Sequence, residues 1–157
     1  MDKYGYTQRE IERQGYTTEC RDGLMIYSDE SAINNIIATY DPLPEAKVDA
    51  INRINEQSQS MMDAIELQYP SFEKHTWPAQ KIESEGWFAD NEFKTPTLDA
   101  IALSRGVNRE DLIRKAYEKV TAFNGYAANL AGKRQKIEDD ITLSVDLDFI
   151  CTVKFEA

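Results

Sequence analysis

Few residues of this chain combine the types and spacing that chemistry requires. His75 is the only histidine, set in Lys74-His75-Thr76 beside Trp77. A nucleophile–histidine–acid site would need a positioned serine, and the nearest, Ser71, has no elbow motif around it. His75 is therefore expected to be a solvated or packed structural residue. Zinc would have to draw most of its ligands from carboxylates, because Cys20 and Cys151 lie far apart in sequence and one histidine completes no set. Gly132-Lys133-Arg134 has the glycine and lysine of a phosphate loop, but the leading glycine is misplaced and no Ser or Thr follows the lysine. It also falls in mid-helix rather than between strand and helix. Paired carboxylates do acid–base work only in a cleft. Glu83 with Glu85, and Glu138-Asp139-Asp140, read instead as solvated helix faces. Asp29-Glu30 and Glu110-Asp111 fall in first helical turns, where capping and the helix dipole account for them. The expectation is a protein that is not an enzyme, with no catalytic residue, no metal site and no cofactor.

The residues left over are apolar, and they point to contact with other proteins. Trp77, Trp87, Phe88 and Phe93 lie within 17 residues. They suit either the packing of small helices or a partner-binding patch, since aromatic residues favour interface centres. The C-terminal stretch is more informative. Leu143, Val145, Leu147, Phe149, Cys151, Val153 and Phe155 occupy alternate positions. Ser144, Asp146, Asp148, Thr152 and Lys154 occupy the others, with Ile150 as the one apolar intruder. Such alternation predicts a β-strand, about 43 Å long at ~3.3 Å per residue.

These groups need elements to position them. Arg21-Asp22-Gly23 between Tyr16–Cys20 and Leu24–Tyr27 predicts a β-hairpin, because Asp-Gly supplies two positive-φ residues. Before it, a polar arm offers a short helix near Gln8–Arg13. After it, Ser28 or Asp29 caps a helix over roughly 30–40 with Ile33, Ile36 and Ile37 on one face. Pro44 opens the next helix, which runs to about 69 and stops before Pro70. Shorter helices follow over 79–90 and 97–104, the second closed by Gly106. The longest spans about 109–141. Its seam is Ile113, Ala116, Val120, Phe123, Ala127, Leu130, Arg134, Ile137 and Ile141, at spacings of 3 or 4. That seam suits packing within the chain or a coiled coil between subunits. The fold expected is α+β, mainly helical, with one long helix and a small antiparallel sheet built from the N-terminal hairpin and the C-terminal strand. Residues 1–28 form the arm and hairpin, 29–141 the helical domain and 142–157 the strand, in a single domain overall. The hairpin is too short to cover that strand, and a long unpaired edge is a hazard. Partner contact is therefore assigned to Leu143, Val145, Leu147, Phe149, Cys151, Val153 and Phe155, with Trp77, Trp87 and Phe88 as a second patch.

Composition narrows the partners. The 157 residues carry a net charge of -10, with 28 Asp and Glu against 18 Lys and Arg. So acidic a chain repels phosphate backbones and lacks a basic stripe for anionic lipid, so neither nucleic acid nor membrane is expected as a partner. No apolar run is long enough to span a bilayer, and the first residues show no signal-peptide core. Synthesis in a cytoplasm, with both cysteines as buried thiols, follows as the expectation.

Several runs have a familiar order. Trp77-Pro78-Ala79-Gln80 precedes an acidic segment and Trp87-Phe88-Ala89-Asp90. Thr95-Pro96-Thr97-Leu98-Asp99-Ala100-Ile101-Ala102 comes next, then Ser104-Arg105-Gly106-Val107. Gly132-Lys133-Arg134-Gln135 then leads into Ile137-Glu138-Asp139. This order, with Asp41-Pro42-Leu43-Pro44, resembles small proteins from the tail-fibre and baseplate gene cassettes of tailed bacteriophages, over roughly residues 28–141. The resemblance implies a tail-associated protein made in the host cytoplasm, as a homo- or hetero-oligomer with other tail proteins. It would be either a virion component at the fibre or baseplate attachment, or a tail-fibre assembly chaperone absent from the finished virion. It supplies no catalytic residues.

Overall fold

Asp22 and Gly23 reverse the chain with φ of 52° and 79°, the two positive values of a type I′ turn. Strands β1 (Thr18–Arg21) and β2 (Leu24–Tyr27) leave that turn as an antiparallel pair, with Arg21 opposite Leu24 and Thr18 opposite Tyr27. The computed structural model describes residues 3–156, and every other regular element among them is helical. Helix α1 (Lys3–Arg13) precedes the hairpin. Helices α2 (Glu30–Thr39), α3 (Leu43–Glu66), α4 (Ser71–Lys74), α5 (Trp77–Ala89), α6 (Pro96–Arg105), α7 (Arg109–Leu143) and α8 (Leu147–Thr152) follow it. The fold is mainly helical α+β, with one long helix and a small two-stranded antiparallel sheet.

Local signals set most helix ends. The Asp29 carboxylate accepts a hydrogen bond from the Ala32 N–H at 2.9 Å, capping α2. The Asp41 carboxylate accepts from Leu43 N–H at 2.9 Å where α3 begins. Gly106 closes α6 at φ 64°, a left-handed cap that a side chain would strain. Every seam position of α7 from Ile113 to Ile141 is buried or half-buried, Arg134 included.

The chain divides into two compact units. The first comprises Met1–Gln57 and Arg134–Glu156, the second Ser58–Lys133. In the second, Leu98 and Ala102 of α6 bury against Leu112, Ile113 and Ala116 of α7, with Trp87 and Ile101 alongside. Glu83 of α5 is buried there. Its two carboxylate oxygens accept from the N–H groups of Thr97 (3.0 Å) and Leu98 (2.9 Å). These are orphan donors of the first turn of α6, and Thr95 does not cap them. Glu83 is thus a buried helix cap, not part of a solvated face. Beside it Arg109 donates to Asp99 (2.6 Å) and to the Thr95 hydroxyl (2.7 Å). Burial pushes the Asp99 carboxyl up, but the Thr95 and Arg109 hydrogen bonds outweigh it and hold it below its ordinary value.

In the first unit α1 packs on α2 and α8. Ile11, Ile33 and Ile36 form its core with Tyr16, Tyr27 and Tyr40 around them. The C-terminal strand is absent from this unit. Helix α7 continues to Leu143, and residues 147–152 form α8. Three interactions decide for the helix. The Asp146 carboxylate accepts from Asp148 and Phe149 N–H groups, as an N-cap. The Arg53 guanidinium donates to the carbonyls of Ile150 (2.8 Å) and Val153 (3.1 Å), at the open end of α8. Gln57 then accepts from Phe155 N–H at 2.8 Å. The apolar residues also carry a second periodicity. Leu147, Ile150 and Cys151 are spaced for one helical face, and Ile150, the intruder in the strand pattern, is fully buried. Leu143 and Val145, two residues of the expected partner-contact face, are each 83% exposed.

Candidate functional site

The hairpin is poorly covered by its own chain. Leu24, Met25 and Ile26 are 71%, 52% and 46% exposed, three adjacent apolar residues on one strand. Among the described residues only β1 pairs with β2. The Ser28 N–H donates to the Thr17 carbonyl at 3.0 Å, just beyond the sheet. Antiparallel pairs alternate, so Glu19–Ile26 and Arg21–Leu24 exchange the ladder bonds, while Cys20–Met25 and Thr18–Tyr27 turn their N–H and C=O groups outward. Met25 and Tyr27 thus present backbone donors and acceptors along the β2 edge. The two edges are defended differently. On β1, Glu19 and Arg21 form an exposed ion pair at 2.9 Å, and charge of that kind discourages strand addition. Strand β2 has no charged residue.

The hairpin's other face closes a groove of about 430 Å³. Thr18, Met25 and Tyr27 form one wall, Tyr4, Thr7, Gln8 and Ile11 of α1 another. Ile37, Tyr40 and Pro42 line it from α2 and the turn after it, and Leu147 from α8. Tyr4 is 73% and Ile37 52% exposed at its lip. The lining is mostly apolar and aromatic, its polar groups being Thr, Gln and tyrosine hydroxyls; the Thr18 hydroxyl donates to the Gln8 side-chain carbonyl oxygen at 2.9 Å.

A polar network fixes the elements that shape this groove. Arg9 of α1 bridges Glu45 and Asp49 of α3, and the Tyr40 hydroxyl donates to Glu45. Burial, and then the bond to Glu45, push the Tyr40 phenol up to about 12. Burial, and then Asp49, do the same to Tyr6, whose side chain is 1% exposed. The hydrogen bonds from Tyr40 and Arg9 hold the Glu45 carboxyl below its usual range. At neutral pH the phenols keep their protons and Glu45 stays ionised, so these groups tie α1 and α2 to α3 as fixed donors and acceptors.

Charge is unevenly divided. The first unit carries nine Lys and Arg against seventeen Asp and Glu, so -8 of the chain's -10 sits there. Asp41 adjoins two lining residues, and Asp146 and Asp148 flank a third. All three are exposed and none has an ion-pair partner among the described residues.

The structure disperses the apolar residues assigned to a C-terminal strand face. Leu143 and Val145 are exposed, Leu147 lines the groove, and Phe149 is 37% exposed. Cys151 and Val153 are half-buried, Ile150 and Phe155 buried. The aromatic residues of the second unit pack mostly on one another. Trp77 lies edge-on to Tyr69 at 5.2 Å and to Phe123 at 5.8 Å. Phe88 lies 4.2 Å from Tyr117 and 5.3 Å from Trp87, keeping 46% exposure. Trp87 also takes the Arg114 guanidinium over its ring. His75 is exposed. Cys20 is an exposed free thiol rather than a buried one, because it sits on the hairpin, and Cys151 is half-buried. No described helix is long and apolar enough to cross a membrane. The β2 edge and the groove went unassigned from sequence. Their signal was Leu24-Met25-Ile26-Tyr27 itself: a four-residue apolar strand without alternation, in a hairpin with no third strand, must leave apolar side chains in water. Comparison with protein families, with curated proteins and with solved structures finds no match.

Proposed function

We propose that the protein is a structural component of a bacteriophage tail, at the fibre or baseplate attachment, and that it acts by protein–protein contact rather than catalysis. One observation carries the contact role: Leu24, Met25 and Ile26 stand exposed on an uncharged strand whose outer edge nothing pairs. Such an edge invites strand addition by another chain. The setting is supported by the motif order, which resembles that of tail-fibre and baseplate cassette proteins. The test is mass spectrometry of purified virions of a phage that encodes the chain. Stoichiometric presence in the tail supports the reading. Absence from the virion, with the chain found in a soluble complex with the fibre protein, would replace it with a fibre-assembly chaperone. Absence from both sinks it.

A further inference from the structure

We infer that the groove and the β2 edge together take an extended segment of a partner protein, one that alternates apolar side chains with lysine or arginine. The inference rests on the contact role proposed above and names the chemistry of its partner. Met25 and Tyr27 do two things at once. Their side chains line the groove, and their N–H and C=O groups face outward along β2. An extended segment laid against β2 would satisfy those backbone groups and drop alternate side chains toward Met25, Ile37 and Tyr40, since residues two apart share a face. A segment in helical form pairs its own backbone and would leave the edge unmet.

Charge selects among extended segments. The unit that holds the groove carries -8, and Asp41, Asp146 and Asp148 beside the lining residues have no ion-pair partner among the described residues. A cationic segment is attracted to this unit and an anionic one repelled. The same field disfavours a second copy of the chain, which would bring another -8 to the contact.

The experiment uses the full chain and three short synthetic peptides: alternating valine–lysine, alternating valine–glutamate, and alternating valine–lysine N-methylated at every amide. Binding is followed by fluorescence anisotropy and by amide hydrogen exchange. The valine–lysine peptide should bind, should slow exchange at the Met25 and Tyr27 amides, and should weaken as salt shortens the screening length. Met25→Ser and Ile37→Ser, both at exposed positions and neutral in charge, should each weaken it by about tenfold or more, the effect of losing a buried apolar contact. No binding of the valine–lysine peptide overturns the inference. Equal binding of valine–glutamate overturns it by removing the charge selection. Equal binding of the N-methylated peptide, which has no N–H to pair with β2, overturns the strand pairing. A free chain of twice the monomer mass that Met25→Ser returns to monomer gives the edge to a second copy, and also overturns it. Virions that contain the chain while the peptide fails to bind refute this inference alone. Peptide binding by a chain absent from tails refutes only the tail assignment.

Discussion

Ile150 and Val145 exchange roles between the two periodicities of the C-terminal segment, so truncating each to alanine tests the fold there directly. In an alternating strand, Val145 lies on the covered face and Ile150 on the open one. In the structure Ile150 is 0% exposed within α8, and Val145 is 83% exposed in the turn before it. Ile150→Ala removes three buried carbons, about 2.4 kcal/mol at ~0.8 kcal/mol per carbon, and the residual cavity brings the expected loss to about 3–4 kcal/mol. The loss has a ceiling. Helix α8 is one short element tied down by Arg53 and Gln57, and once it detaches locally the global stability falls no further. Val145→Ala should stay within about 0.5 kcal/mol of the parent. Urea unfolding followed by far-UV circular dichroism measures both, and native-state exchange of the 147–153 amides separates local detachment from global loss. A Val145→Ala cost equal to or above that of Ile150→Ala would refute the helical packing of this segment.

Three further outcomes follow from named contacts. Glu83→Ala should lower stability by about 2–4 kcal/mol, because one buried and one half-buried N–H group at the start of α6 lose their acceptor; equilibrium urea unfolding reads this, and a loss under 1 kcal/mol would deny Glu83 its capping role. Alkaline pH should destabilise the fold between about 10 and 12: Tyr6 and Tyr40 have folded values raised to about 12 from 10.0, so their contribution is full below pH 10, then falls by up to about 1.4 kcal/mol per pH unit for each tyrosine and is gone above the folded value. Thermal midpoints should therefore drop steeply across that window and drop less in Tyr6→Phe. Near pH 4.6, the isoelectric point, carboxylate repulsion fades and the open β2 edge should begin to self-associate; light scattering should show this in the parent and not in Ile26→Lys, because a lysine on an edge strand opposes pairing.

Most of the fold was legible because most of its signals are local. Asp22-Gly23, the Asp29 cap, Pro44, Gly106 and the seam of α7 each act within a turn or two of chain, and each behaves as its chemistry dictates. The C-terminal segment failed for a physical reason. Leu147, Ile150 and Cys151 fit a period near 3.6 while Leu143 through Phe155 fit a period of 2, and residues about 100 positions earlier chose between them. Arg53 and Gln57 are separated in sequence from their acceptor and donor by 97, 100 and 98 residues. Glu83 was misread on the same ground. A glutamate on an amphipathic helix looks solvated until a second helix brings its N-terminus against it.

The hairpin shows how a feature can be readable and still be undervalued. The turn and both strands follow from sequence, but exposure is a property of what is missing around them, and no local pattern records a missing third strand. The acidity of the first unit then acquires a structural role. An uncharged edge strand with Leu24, Met25 and Ile26 in water is the geometry that makes sheets of separate molecules join. The net -8 around it opposes that between identical chains and leaves the edge open to a cation-bearing one. Edge and charge are each a liability alone: the first promotes aggregation, the second strains the compact state. Placed in one unit they offset one another, because the charge that opposes contact between copies of the chain sits around the edge that would otherwise promote it.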